Sequence, residues 1–241
     1  MKGASGNSHG NNTAVGAATL IAITDGGFNT VLGGEAGHDL TTGDENVFIG
    51  LNAGDKTTDV DRAVIIGANA GGGVLHSDAD GTVAIGYKAG TAITEGQRII
   101  CIGYEAGLSM TTGDDMICIG YQAGKDASST GSTAEDCVYI GTYAGENIDD
   151  GVKNVAVGIE ALKGSTADGN LGDNNVAIGC ASMYDITDGD NNTCVGGASG
   201  AQITTGHSNV CIGYNSAGDG LTTQAGNTLV GFRSGQAVAG D

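Results

Sequence analysis

Six cysteines, four histidines and 28 acidic residues are the groups with which this chain could bind a metal or run a reaction. A zinc site needs thiolates or imidazoles in paired spacing such as Cys-x-x-Cys, because four ligands must converge on one ion. Cys101, Cys118, Cys137, Cys180, Cys194 and Cys211 contain no such pair, and His9, His38, His76 and His207 share no sequence context. Acid pairs stand at Asp114 with Asp115, Asp149 with Asp150 and Asp188 with Asp190. Two carboxylates across a cleft can cleave glycosides, but these lie in turn-like sequence, where Asp is favoured for bonding nearby backbone. The stretch DITDGDNN (185–192) is rich in oxygen ligands yet lacks the register and terminal Glu of an EF-hand loop. These residues predict no catalytic group, no cofactor and no metal ligand set, hence a chain that is not an enzyme.

The elements that carry them come from an unusual composition: 46 Gly, no Pro, no Trp and a net charge of -19 in 241 residues. So much Gly and acid suggests disorder, but apolar residues make up 39% and recur in strand-sized runs. Residues 1–12 hold no apolar signal region, and no stretch approaches the length of a membrane span. Nine basic residues against 28 acidic ones disfavour nucleic acid and anionic membrane, so neither is expected as a partner.

One phrase organises the chain. A glycine ends each "xIG" at 16, 33, 50, 67, 86, 103, 120, 141, 158, 179, 196, 213 and 231, with spacings of 17, 17, 17, 19, 17, 17, 21, 17, 21, 17, 17 and 18. A 17-residue unit cannot bury a core alone and must stack on its neighbours, which is the signature of a solenoid. Each unit reads as two short strands and two turns. One and three residues before the marker glycine stand β-branched or aliphatic residues such as Val47 and Ile49, which share one face of a strand. The residue between them points the other way and is also apolar, as in Phe48, Ile65, Cys101, Cys118, Cys194, Cys211 and Leu229, so both faces seek burial. The "YxAG" portion after the glycine reads as a second, half-exposed strand. Seven residues after the glycine, Ile23, Leu40, Ile93, Met110, Ile148, Ile186 and Ile203 form a further inward anchor. In turns such as TTGDEN the glycine is expected to supply a positive φ. Asn precedes the strand at positions 12, 29, 46, 154, 175, 192, 209 and 227, which predicts a hydrogen-bonded ladder with rungs about 4.8 Å apart.

"NVAIG" followed three residues on by Ala or Ser resembles the repeat of YadA-like head domains, found in trimeric autotransporter adhesins and many phage tail fibres. The likeness runs from about Asn12 to Gly235, with a longer repeat than is common in adhesin heads. It implies an all-β, left-handed parallel β-roll or β-solenoid of about thirteen coils, assembled as a homotrimer. On a lone solenoid, the row Phe48, Ile65, Cys101, Cys118, Cys194, Cys211 and Leu229 would lie outside as a long apolar stripe, so it is expected to be packed away, at the trimer axis or in the core. The cysteines then read as fillers of small apolar slots. A disulfide joining Cys101 to Cys118 or Cys194 to Cys211 would link in-register parallel neighbours in strained geometry. Six free thiols suit assembly in a reducing host cytoplasm, which favours a phage fibre over an exported adhesin. An acyltransferase of the left-handed β-helix type would show strict hexads and a catalytic His in a defined context, and neither is present.

The organisation expected is a short lead (1–11), one repeat domain (12–238) and a tail (239–241). Lengthened units fall at 71–80, 125–136 and 163–174, where His76, Asp78, Lys125, Asp126, Lys163 and Asp168 are candidate receptor contacts. The function expected is structural and adhesive: a segment of a phage tail fibre or similar virion appendage that grips a cell-surface receptor, such as a glycan, with other appendage segments at its coil ends. A bacterial surface adhesin, and so a cell-surface location, is the close alternative. An ice-binding solenoid is the further one, although adjacent threonines such as Thr41 and Thr42 let only one of each pair face outward.

Overall fold

A computed structural model describes residues 10–127, 134–165, 172–218 and 221–236. The chain divides into two units, 1–119 and 120–241. The first contains β1 (Thr13–Val15), β2 (Thr30–Leu32), β3 (Val47–Ile49), β4 (Val64–Ile66), β5 (Val83–Ile85), β6 (Ile100–Ile102) and β7 (Ile117–Ile119). Each pairs with the next in parallel register, so that Val31 lies beside Phe48, Phe48 beside Ile65 and Cys101 beside Cys118. The second contains β8 (Val138–Ile140), β9 (Val155–Val157), β10 (Val176–Ile178), β11 (Thr193–Val195), β12 (Val210–Ile212) and β13 (Thr228–Val230). Its register sets Tyr139 beside Ala156, Ala177 beside Cys194, and Cys194 beside Cys211. The architecture is the expected all-β parallel β-solenoid with a 17-residue coil, and no α-helix occurs among the described residues.

Among the described residues each coil holds one three-residue strand, not two. The segment after the marker glycine winds as tight turns, because positive φ recurs there: Gly50 at +135°, Asn52 at +55° and Gly54 at +59° in one coil. An extended strand cannot contain such residues. Hydrogen bonds between coils continue outside the strands all the same, as from Gly37 N–H to Ala53 O (3.0 Å) and Thr41 N–H to Thr58 O (2.8 Å). The marker glycine is obligatory on two counts. At Gly33 φ is +142°, and a Cβ would lie 2.2 Å from the carbonyl oxygen of Gly50 in the next coil. The turn glycine has a different reason from the one expected. Gly43 is not in a positive-φ conformation; a Cβ there would meet Val60 O at 2.3 Å, and the positive φ falls two residues later on Glu45.

Of the two placements expected for the middle row, the core and not the trimer axis is the one found. Phe48, Ile65, Cys101, Cys118, Cys194 and Cys211 are fully buried inside the coils, and Leu229 is half-buried in the last described coil. They are core residues of the single chain, and the flanking aliphatic residues face out. The reason is what stands opposite. Across the coils the residue three after the marker is small, Thr19 in the first and Ala or Ser in the others, buried as at Ala53 and Ser199, and the next is usually Gly. That leaves a narrow interior which one variable side chain fills. The inward anchors seven residues after the marker are buried as expected, from Ile23 to Ile203.

The Asn ladder is present. Asn46 accepts the Ala63 N–H at Oδ1 (2.8 Å) and donates from Nδ2 to Val60 O (2.7 Å), while its own N–H bonds Asn29 Oδ1 (2.9 Å). Asn154, Asn175, Asn192 and Asn209 repeat this pattern in the second unit, for example Asn209 N–H to Asn192 Oδ1 at 3.0 Å. Buried amides are tolerated because every polar atom finds a partner in the neighbouring coil.

Candidate functional site

With the core row turned inward, the outward rows of the strands form an aliphatic surface in each unit. In the first, Val15 and Leu32 are 59% and 48% exposed, and Ile49, Ile66, Ile85 and Ile102 are half-buried. In the second, Ile178 and Ile212 are each 40% exposed and Val230 is 65% exposed. The residue just past the marker glycine extends this surface with Leu51, Tyr87, Tyr104, Tyr121, Ile159, Tyr214 and Phe232, all exposed. Tyr87 stacks on Tyr104 at 5.1 Å between ring centroids, and Tyr214 on Phe232 at 5.8 Å. Among the described residues, no acidic or basic side chain lies in a strand or in the position after the marker glycine.

The candidate contact residues fall in different surroundings. His76 and Asp78 are exposed around a short 3-10 turn (Ser77–Ala79), with the His76 ring 3.7 Å from the Asp59 carboxylate. Lys125 lies 3.6 Å from Asp126, whose N–H bonds Glu146 O in the next coil. Lys163 follows on the same flank, since the N–H of Asn147 bonds Lys163 O. Its ammonium donates to Glu160 (3.1 Å), lies 3.6 Å from Glu146, and sits over the rings of Tyr143 (4.9 Å) and Tyr184 (5.3 Å). Desolvation opposes its charge, but the Glu160 hydrogen bond, Tyr184 and Glu146 outweigh it and raise the lysine above its ordinary range. Lys163 is thus an anchor rather than a free contact. Asp168 lies outside the described residues.

All six cysteines are free, and five are buried. Cys180 departs from the slot-filling role: it stands just past a marker glycine and is exposed. Cys137 occupies the Asn slot, where its sulfur accepts the Asn154 N–H (3.3 Å). A hydrogen bond with Cys101, together with burial, raises the Cys118 thiol above its usual range, and Cys211 with burial does the same for Cys194. Burial raises Asp150, aided by the like charge of Asp149. His38 contacts Asp39 at 2.6 Å on an exposed flank, and His207 is exposed. Asp190 of the calcium-like stretch accepts the backbone N–H of Asp173 (2.8 Å), and Asp44 and Asp61 serve the coils before them in the same way. These carboxylates are structural acceptors, and no group of three or more His, Cys, Asp or Glu among the described residues is placed to hold a metal. The outward partner of the threonine pair is Thr42 or Thr205, but the same position holds Asp25, Glu95 and Asp188, which breaks a regular threonine array.

A concavity of about 360 Å³ lies in the second unit, lined by Ser165, Asp185, Thr187, Gln202, Thr204 and Thr222. Asp185 and Thr187 lie within the stretch weighed above for calcium, and Ser165 within the third lengthened unit; their convergence was not visible in the sequence. The available signal was that the coil beginning at Gly158 runs 21 residues to the next marker, a break in the column of equivalent turns.

Fold and surface together define a parallel β-solenoid with one short strand per coil. No family model, curated protein or solved structure matches the chain.

Proposed function

We propose that the chain is a structural and attachment protein: a segment of a phage tail fibre or similar virion appendage, homotrimeric through its aliphatic strand surface, that grips a cell surface through contacts repeated in three copies. The observation that carries this reading is the segregation of charge. The chain has 37 charged residues (28 plus nine), yet among the described residues the strands and the positions after the marker glycines hold none, and the aliphatic side chains there range from half-buried, as at Ile49 and Ile102, to 65% exposed at Val230. An apolar surface of that extent normally marks a protein interface. Two further copies of the chain are its occupant here, because a repeating column is complementary to itself about a threefold axis. The YadA-like resemblance points the same way, and weak individual contacts then gain by avidity. Six free thiols agree with assembly in a host cytoplasm. A bacterial adhesin head would use the same surface.

Light scattering under reducing conditions tests the assembly. The expected mass is about 71 kDa, three times 23.6 kDa, across a dilution series. A species that stays at 23.6 kDa at every concentration overturns the homotrimer. Ile178→Asp with Ile212→Asp should give folded single chains. Binding of the labelled assembly to a panel of bacterial cells tests the attachment role.

A further inference from the structure

We infer that the concavity of the second unit is a subsite for a neutral hexose unit of a glycan; this rests on the attachment reading and names the chemistry of the receptor. Its volume of about 360 Å³ is at the small end of the roughly 300–1,000 Å³ typical of ligand pockets, a size for one sugar ring.

The lining decides the ligand class. Thr187 Oγ1 donates its proton to Thr204 O and Thr204 Oγ1 donates to Thr222 O, each at 3.1 Å. With their protons committed, both hydroxyl oxygens offer only lone pairs to the groove. The Asp185 carboxylate adds acceptors of higher charge. A floor of acceptors selects a ligand covered in donors, as the hydroxyls of a hexose are, and the Gln202 side chain brings an amide of mixed character to the same wall. Carboxylated, sulfated or phosphorylated sugars face Asp185 and a chain of net charge -19, and are repelled.

The wall at Ser165 is held in place before any ligand arrives. Two residues earlier, Lys163 is pinned by Glu160, Glu146 and the faces of Tyr143 and Tyr184, and Asn147 Nδ2 donates to Gly164 O at 3.3 Å. Ser165 N–H bonds Ile186 O at 3.2 Å, one residue from Asp185. A site of this kind loses little freedom on binding. The site stands beside the unit that is 21 residues long in the sequence, from Gly158 to Gly179.

The test is saturation-transfer NMR on the full chain in its assembled state, with the methyl glycosides of glucose, galactose and mannose, and with methyl glucuronide as the anionic control. At least one neutral glycoside should bind with millimolar affinity, the glucuronide at least tenfold more weakly. Asp185→Asn and Thr204→Val should each weaken the neutral ligand at least fivefold while the mass from light scattering stays unchanged. Absence of binding by all three neutral glycosides, equal binding of the glucuronide, or unaltered binding by both variants overturns the subsite. The attachment reading is judged separately by cell binding: retention by Asp185→Asn leaves attachment standing and places it elsewhere, whereas failure of the wild-type assembly to bind any cell removes attachment alone.

Discussion

Two neighbouring coils of the second unit fill the same interior in opposite ways. In one, Tyr139 projects from the strand and is fully buried, and the residue facing it across the coil is Gly145, where a Cβ would lie 2.5–2.7 Å from the ring. In the next, the strand supplies only Ala156, and the facing position carries Leu162, fully buried. Both facing residues adopt the left-handed conformation, Gly145 at φ +60° and Leu162 at +49°. Leu162 accepts a backbone strain of about 1–2 kcal/mol that burial of its side chain, worth about 1.5–3 kcal/mol, offsets. The pattern recurs: Ala177 faces Met183 and Ala14 faces Leu20, whereas Phe48 and Ile65 face Gly54 and Gly71. Ala84 with Gly90 departs from it, and there Ile93 Cδ1 stands 2.6 Å from where a Gly90 Cβ would be. The interior is therefore a column of nearly constant volume that either wall can fill. That is why the middle strand residue varies from Ala to Tyr while its outward neighbours remain β-branched or aliphatic.

The largest effect should come from breaking this trade in one coil. Gly145→Leu places a second large side chain against the Tyr139 ring and should cost more than about 4 kcal/mol, by overpacking together with left-handed strain. Tyr139→Ala leaves a cavity and should cost about 3–5 kcal/mol. The double variant recreates the Ala156 and Leu162 arrangement and should recover at least about 2 kcal/mol of the summed loss, a coupling that urea denaturation of all four proteins measures. Strict additivity would sink the constant-volume account.

Most of the fold was legible because the period is. The marker glycines, the inward anchors and the Asn ladder each occupy a fixed offset, and a fixed offset in a 17-residue coil fixes the wall. Alternation alone leaves the strand orientation open, because it says only that Phe48 and Ile49 face opposite ways, and both are apolar. What could have settled it is the exchange of bulk between Ala156 with Leu162 and Tyr139 with Gly145, which only a shared interior requires. The second strand was misread because "YxAG" has strand-like composition, while the positive φ at Lys88, Glu105 and Gln122 stands on residues that do not announce it. The groove at Asp185 and Thr204 was hidden because its residues come from four coils.

A second contrast lies inside the first unit, in the slot before the strand. Asn29 and Asn46 fill it early, and Ile99 and Met116 fill it later, all four fully buried. Asn46→Leu strands the Ala63 N–H and the Val60 carbonyl, two buried groups worth about 1–3 kcal/mol each when unpaired. A loss of about 2–5 kcal/mol is expected by thermal unfolding. The reverse change should be milder. Ile99→Asn gives up apolar burial but presents an acceptor toward the Met116 N–H and a donor toward Gly113 O, the same relations Asn46 satisfies. A loss below about 2 kcal/mol is expected, and a cost equal to that of Asn46→Leu would mean that the two stretches of coil do not share one backbone frame.

The smallest effects concern the thiols, and they separate interior from surface without altering the fold. Cys118 and Cys194 are held protonated by a neighbouring thiol and by burial, whereas Cys180 stands beside the outward aliphatic row. At neutral pH an aromatic disulfide reagent should therefore label one cysteine in the folded single chain of the Ile178→Asp, Ile212→Asp variant, and mass spectrometry should locate it at Cys180. In the assembled wild type, Cys180 should react at least tenfold more slowly if the strand surface is covered. A thiol with a raised folded pKa adds stability that is complete below the unfolded value, about 8.5, and is lost as the pH climbs toward the folded one. Unfolding midpoints should accordingly fall above pH 9, and Cys118→Ala should flatten that fall at the cost of a small interior gap. Rapid labelling of Cys101 or Cys211 at neutral pH would contradict the burial of the middle row, and with it the assignment of the flanking row to assembly.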